Sequence, residues 1–277
     1  MKFCAFADEA SVEISGQIAA LKRNGFDYLE IRGVDGTNIS KITADKAKEV
    51  KKMLDDAGLA VWSMGSPIGK HHMEKDFSAH IEDYKRILEY SYILGASRIR
   101  MFSFHPIAGE DTATTRERTM EHLAKLVDMT PADRILCHEN EKHIYGETAE
   151  ACLDVLKTFP TIRAVFDPAN FVQCGVDTLK AWEMLSPYVD YLHIKDALAD
   201  GTVVPAGMGA GNVEAIVKMY LANGGEVMTL EPHLQNFVGL SGLENGESVK
   251  HMNVQYKDND ESFDAAVTAL KAIVEKI

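Results

Sequence analysis

Cysteine is scarce in this chain of 277 residues: only Cys4, Cys137, Cys152 and Cys174, with no C-x-x-C pair among them. Scattered thiols in a chain of this length read as free cysteines of a reducing compartment, and a core of this size needs no covalent staples. Basic residues are also in short supply, with 29 Lys and Arg against 42 Asp and Glu and a formal net charge of −13. Duplex binding draws most of its affinity from cations set against phosphates, so this balance argues against nucleic acid, and equally against an anionic membrane surface. It leaves room for a local basic pocket that takes one phosphate. No apolar run approaches the length of a membrane span. The run at residues 3–7 stops at Asp8-Glu9, too short for a signal peptide, so a cytoplasmic protein is expected. No linker or low-complexity stretch interrupts the chain, and no phosphate-binding glycine fingerprint follows the first apolar run.

What the chain does contain is ordinary soluble composition, 46% hydrophobic and 26% charged, in a regular alternation. Strand-like runs are expected at residues 3–7, 28–32, 59–64, 98–103, 134–139, 162–167, 188–194 and 226–231. Helical spacing is expected at 12–23, 43–57, 77–94, 114–129, 148–158, 178–185, 213–222 and 261–276. Asn24-Gly25, Gly58, Gly95, Pro131, Pro160 and Pro187 punctuate the pattern. Strict βα alternation implies a parallel sheet with crossover helices, and eight units in about 250 residues imply closure into a (β/α)8 TIM barrel, a single domain over 1–277. An open doubly wound sheet is the alternative. Two connections are long, 104–113 and 232–260; the second follows the eighth strand and is a candidate lid.

Four late strands end in metal-capable side chains: ILCHE at Glu139, AVFD at Asp167, YLHI at His193 and VMTLE at Glu231. Their separations, 167−139=28, 193−167=26 and 231−193=38, are close to the roughly 31 residues of one barrel unit. Side chains at the C-terminal ends of successive strands share one mouth. Three carboxylates and one imidazole brought together there raise one another's proton affinity or call for a cation. Mixed oxygen and nitrogen donors suit a divalent ion, with Mn²⁺ the first choice and Mg²⁺, Co²⁺ and Zn²⁺ as alternatives.

The segments HENE (138–141), FDPAN (166–170), LHIKD (192–196) and LEPH (230–233), with GSPIGK at 65–70, make the chain similar to the xylose isomerase-like superfamily, in its sugar phosphate isomerase/epimerase branch. The resemblance spans essentially the whole chain. It implies that Glu139, Asp167, His193 and Glu231 hold the metal, and that Glu139 and Glu231 also move protons on opposite faces of a substrate carbon. Asn170 stands where many epimerases carry a histidine; it can bond a hydroxyl but cannot act as a charged acid.

Four further residues are candidates for contact with a small carbohydrate. Glu30 ends the second strand, with a rim ion pair to Arg32 as the plain alternative. His105 lies just past the fourth strand, and Asn170 follows the sixth. Lys195 should share the face of His193, unless it pairs with Asp196 or another rim acid. His138 should point away from the interior. Glu141 is a supporting or a surface acid. The neighbours His71 and His72 are poor metal ligands, and His233 could orient a lid or ligand. Trp62 and Trp182 read as packing residues, although Trp62 could line the pocket. Gly207–Asn212 does not match a dinucleotide loop; a turn with Asn212 capping the seventh helix is expected.

The resemblance implies a metal-dependent isomerase or epimerase of a sugar or sugar phosphate. A dehydratase acting on an inosose or dehydroshikimate-like substrate would share the first step. A DNA-repair endonuclease of the same fold is disfavoured by the acidic balance and by a single histidine among the four ligands. A non-catalytic carbohydrate-binding barrel is a further alternative. Members of this family often assemble as homo-oligomers.

Overall fold

The computed structural model describes residues 1–243 and 248–277. Eight parallel strands close on themselves: β1 (Lys2–Ala5), β2 (Tyr28–Ile31), β5 (Ala60–Gly65), β6 (Arg98–Met101), β7 (Ile135–Glu139), β8 (Arg163–Phe166), β9 (Val189–Ile194) and β12 (Val227–Leu230). Each pairs with its neighbours in sequence, and β1 closes the ring against β12 with Cys4 opposite Thr229. This is the (β/α)8 barrel expected from the alternation. It excludes the open sheet, which would leave two unpaired edges.

The main core lies between the strands and the helices α1 (Ile14–Arg23), α2 (Ala44–Ala57), α3 (Ser78–Leu94), α4 (Thr112–Met129), α5 (Ala149–Thr158), α7 (Thr178–Leu185), α8 (Val213–Ala222) and α10 (Asn259–Val274). Local chemistry sets their limits. Thr43 caps α2 by accepting the Lys46 N–H, and Gly58 closes that helix at φ 71°, a conformation that costs glycine little. Asp111 caps α4 through the N–H groups of Ala113 and Thr114, so that helix starts two residues earlier than expected and shortens the long connection after β6.

The structure adds three features. Residues Gly33–Val34 (β3) and Thr37–Asn38 (β4) form a small hairpin at the mouth, and Asp196–Ala197 (β10) with Val203–Val204 (β11) forms another. Pro168–Gln173 is a short helix, α6, started by Asp167 as cap and by Pro168, whose missing N–H is no loss in a first turn. Asn212 does not cap α8: it sits at φ 54° with no side-chain cap bond, and its amide donates instead to Thr178 Oγ1. Of the candidate lid, residues 244–247 lie outside the described residues; the rest holds the short helix α9 (Leu240–Leu243).

The segment after β5 runs beside the extension of β6 so closely that a Cβ on Gly69 would lie 2.0 Å from the Phe102 carbonyl oxygen. His80, buried at the start of α3, pins this segment: its Nε2 accepts the Gly69 N–H at 2.9 Å and must therefore be unprotonated. Burial, together with His71 nearby, lowers its pKa to about 4. An unfolded histidine titrates near 6.5. Stability from His80 is therefore complete above about pH 6.5 and is lost as the pH falls toward 4, because only the unfolded chain takes up the proton in that window. The full loss is about 3 kcal/mol. Urea titrations at pH 7 and pH 4.5 should show a smaller difference in His80→Gln than in the wild type.

Candidate metal centre

Alternation along each strand decides what enters the barrel. Cys137, Val165 and Tyr191 form a small cluster of their own, and Glu139, Asp167 and His193 lie two residues further on, one layer nearer the mouth. One ligand atom each from Glu139, Asp167, His193 and Glu231 lies within 4.8 Å of the others, and none of the four residues is more than 2% exposed. The four side chains anticipated from their strand-end positions thus face one point.

The inner atoms can be named. His193 Nδ1 is 3.0 Å from Glu139 Oε1 and 3.5 Å from Glu231 Oε2, and Nε2 on the other side of the ring lies 3.2 Å from Glu30 Oε2. A ring nitrogen tied to a carboxylate while the other faces the ligand group is the arrangement that orients metal-binding histidines. Asp167 spends Oδ1 on the Asn170 N–H and keeps Oδ2 buried with no hydrogen bond, although the Lys195 ammonium stands 3.0 Å away. Asn140 clips the ends of β7 and β8 together by accepting the Asp167 N–H and donating to the Asp167 carbonyl. A carboxylate oxygen with no hydrogen bond, two more carboxylates and an imidazole nitrogen around one point fit a divalent cation.

The electrostatics agree. Burial works against a charge on His193, yet Glu139 and Glu30 hold its proton affinity well above the usual range. Burial, with Glu231 and Glu139 nearby, pushes Asp167 up to about 7 against the pull of Lys195. For Glu231 the balance reverses: burial is outweighed by Lys195, and the carboxyl is held well below its usual range. Glu139 is lowered too, with His193 and Arg100 overcoming its burial.

The other anticipated residues fall in several places. Asn170 stands beside the cluster, donating to Glu139 Oε1 at 3.3 Å and to the Asn140 carbonyl at 2.9 Å, with Oδ1 buried and unpartnered. Lys195 enters the interior as alternation predicts, but its partners are Asp167 and Glu231, at 3.0 and 3.1 Å, rather than Asp196. Asp196 instead accepts the N–H groups of Gly207, Gly209 and Gly211, which explains the glycine-rich segment. Glu30 is not at the mouth: it is fully buried, bonded to the Tyr191 hydroxyl and His193, and so holds the His193 ring from behind. His105 bonds the His143 carbonyl and stacks on His72 at 4.6 Å; its Nε2 is buried without a partner. His138 faces away and meets Ser103. Glu141 is buried between Lys70 and Lys142. Trp62 is half-buried, under the Arg98 guanidinium and against Tyr191, in a cleft it shares with Trp182.

Sequence reasoning passed over Arg100 and placed Arg32 only beside Glu30 at the rim. Arg100, inside β6, donates to Glu139 Oε2 at 2.8 Å; Arg32, just past β2, donates to Glu231 Oε1 at 2.9 Å and also holds Asp8 and Glu9. The signal was a charged residue at an inward position of a buried strand. Glu9, Glu231 and His233 also come close enough to hold an ion. There, however, the Arg32 guanidinium already binds Glu9 Oε1 and Glu231 Oε1, so positive charge is supplied without a second metal.

A family model described as xylose isomerase-like TIM barrel matches residues 18–255. No curated protein matches the sequence significantly. Solved structures with the same fold include the IolI protein with a bound zinc atom (15% identity, TM-score 0.76, covering 100% of this chain and 99% of that one). A D-psicose 3-epimerase solved in the presence of D-fructose is 17% identical, with TM-score 0.73 and 98% of each chain covered. The probable 3-DHS dehydratase AsbF of Bacillus anthracis is 15% identical, with TM-score 0.73, covering 98% of this chain and 99% of that one.

Proposed function

The chain belongs to the xylose isomerase-like TIM barrel family, and from that premise we propose that it is a divalent-metal-dependent isomerase or epimerase of a sugar or sugar phosphate. The observation that carries this reading is the convergence of Glu139, Asp167, His193 and Glu231 on one buried point. Mn²⁺ is our first choice of ion; the bound zinc of the IolI structure supports a divalent ion without selecting among them. A divalent ion there supplies Lewis acidity that makes a C–H beside a carbonyl easier to break.

The remaining work falls to the side chains. Glu139 and Glu231 stand on β7 and just past β12, with Asp167 and His193 between them around the ring, so a substrate carbon over the cluster has a carboxylate on either side to take a proton and return it. The Lys195 ammonium, between Asp167 and Glu231, offsets negative charge that develops on the substrate oxygen. Asn170 Oδ1, buried and unpartnered, accepts a substrate hydroxyl. With every one of these groups at most 4% exposed, water is kept from the reacting carbon. A cleft whose wall includes Asp8, Arg32 and Phe237 adjoins the site through Arg32, which holds Glu231.

One observation favours a dehydratase as the second reading. Glu139 and Glu231 each have one oxygen held by an arginine, whereas Lys195 offers a buried N–H donor for a departing hydroxyl. Incubating manganese-loaded protein with a panel of ketoses and cyclic polyol ketones in D2O separates the two. Deuterium at the carbon beside the carbonyl without loss of water is the isomerase result. A new conjugated-enone or catechol absorbance is the dehydratase result. Metal binding with neither outcome across the panel would leave a carbohydrate-binding barrel and sink both readings.

A further inference from the structure

Each of the four converging side chains turns one donor atom inward and has its other donor tied down. Asp167 Oδ1 is held by the Asn170 N–H and His193 Nε2 by Glu30. For the two glutamates the tie is a buried guanidinium, Arg100 on Glu139 Oε2 and Arg32 on Glu231 Oε1. The other two oxygens, Glu139 Oε1 and Glu231 Oε2, both face His193 Nδ1, and also receive the Asn170 amide at 3.3 Å and the Lys195 ammonium at 3.1 Å respectively. The two arginines are kept apart by Phe6, whose ring centre lies 4.2 Å from the Arg32 guanidinium carbon and 5.3 Å from that of Arg100, and whose ring meets His193 edge-on. Gly65 makes room for this: a Cβ there would come within 2.6 Å of the Phe6 ring and 3.1 Å of Arg32 Cβ.

Packing alone does not explain Arg100. It is 2% exposed, Glu139 is its hydrogen-bond partner, and its Nε is buried with none. An apolar side chain of similar volume would fill the space at lower desolvation cost. What a guanidinium adds is a rigid, permanently charged group whose single N–H to each glutamate occupies one carboxylate oxygen and disfavours its use by another cation. Small divalent ions such as Mn²⁺ and Mg²⁺ accept one oxygen per carboxylate, whereas Ca²⁺ prefers six to eight oxygens and commonly takes both from one carboxylate.

We propose that Arg32 and Arg100, spaced by Phe6, are positioning residues that restrict Glu231 and Glu139 to one donor oxygen each and so set the site's preference for small divalent ions over calcium. This rests on the metal reading above. The test compares Mn²⁺ and Ca²⁺ affinities by calorimetry in wild type, Arg100→Met, Arg32→Met and Phe6→Leu, using protein whose far-UV circular dichroism matches wild type. Arg100→Lys and Arg32→Lys, which keep the charge and lose the rigid planar group, serve as second variants in case a methionine variant does not fold. Both ions carry the same charge, so the removal of a cation moves both affinities together; only a change in donor geometry moves their ratio. The expected result is a wild type that prefers Mn²⁺ and a ratio that falls about tenfold in the arginine variants. A ratio unchanged while both affinities shift would show the arginines to be counter-charges only and overturn the proposal. A wild type that binds neither ion would overturn the metal reading and the clamp with it; a wild type that binds Mn²⁺, with every variant unaltered, would overturn the clamp alone.

Discussion

Asp167→Asn is expected to abolish measurable Mn²⁺ binding and to lower kcat/KM for any substrate turned over by on the order of 10³-fold, at little cost to the fold. The activity loss follows from the proposed role of Oδ2: Lewis-acid assistance is worth several kcal/mol, and about 4 kcal/mol is a thousandfold in rate. The small effect on the fold follows from the electrostatics. Burial pushes the Asp167 carboxyl up to about 7, so a neutral group of the same shape resembles a state the folded protein already tolerates. Asparagine keeps an oxygen for the Asn170 N–H that starts α6, and the backbone clip to Asn140 is untouched. Metal content by atomic emission after dialysis, with a melting curve of each protein stripped of metal, checks both halves. Retained stoichiometric Mn²⁺ would remove Asp167 from the ligand set.

The barrel and the convergence of the four strand-end side chains were legible in the sequence for the same reason. Each strand is a short apolar run bounded by a helix stop such as Gly58 or Gly95, and Glu139, Asp167, His193 and Glu231 interrupt four of those runs at one barrel height. The supports were not legible. Alternation told that Lys195 would face inward, but the choice between Asp196 and Asp167 as its partner depends on where the β10–β11 hairpin carries the chain, and two-residue strands leave no periodic trace. Arg100 passed unremarked and Glu30 read as a substrate contact or a rim ion pair; only the closure of the ring places one beneath Glu139 and the other behind His193. Helix α6 escaped notice because six residues complete less than two turns and its start signal, Asp167, had already been read as a ligand. Asp167 caps α6 with Oδ1 and turns Oδ2 to the cluster.

A second large effect is expected at Asp196, which contacts no ligand. Its carboxylate accepts four backbone N–H groups: Gly207 and Gly209 on Oδ2, and Gly211 and Ala197 on Oδ1, all at 2.9 Å. The segment follows this anion closely; a Cβ on Gly209 would lie 2.3 Å from Asp196 Oδ1, and one on Gly211 would lie 2.7 Å from the same oxygen and 3.1 Å from Pro168 at the start of α6. Asp196→Ala leaves those donors without an acceptor. A buried donor left unmade costs roughly 1–3 kcal/mol, and a surface loop can recover part of that by turning toward water, so a net loss of about 3–4 kcal/mol is expected, a large share of the 5–15 kcal/mol typical of a whole domain. At this chain length that corresponds to roughly a 10 °C fall in Tm. Asp196→Asn should do no better, because its NH2 would point donor against donor. Calorimetric melts of the metal-free proteins read this directly, and the metal-free state keeps any change in ion affinity out of the comparison. A fall of less than about 2 °C in Asp196→Ala would mean that the glycine segment holds its shape without the anion, and that Asp196 is not what positions it beside α6.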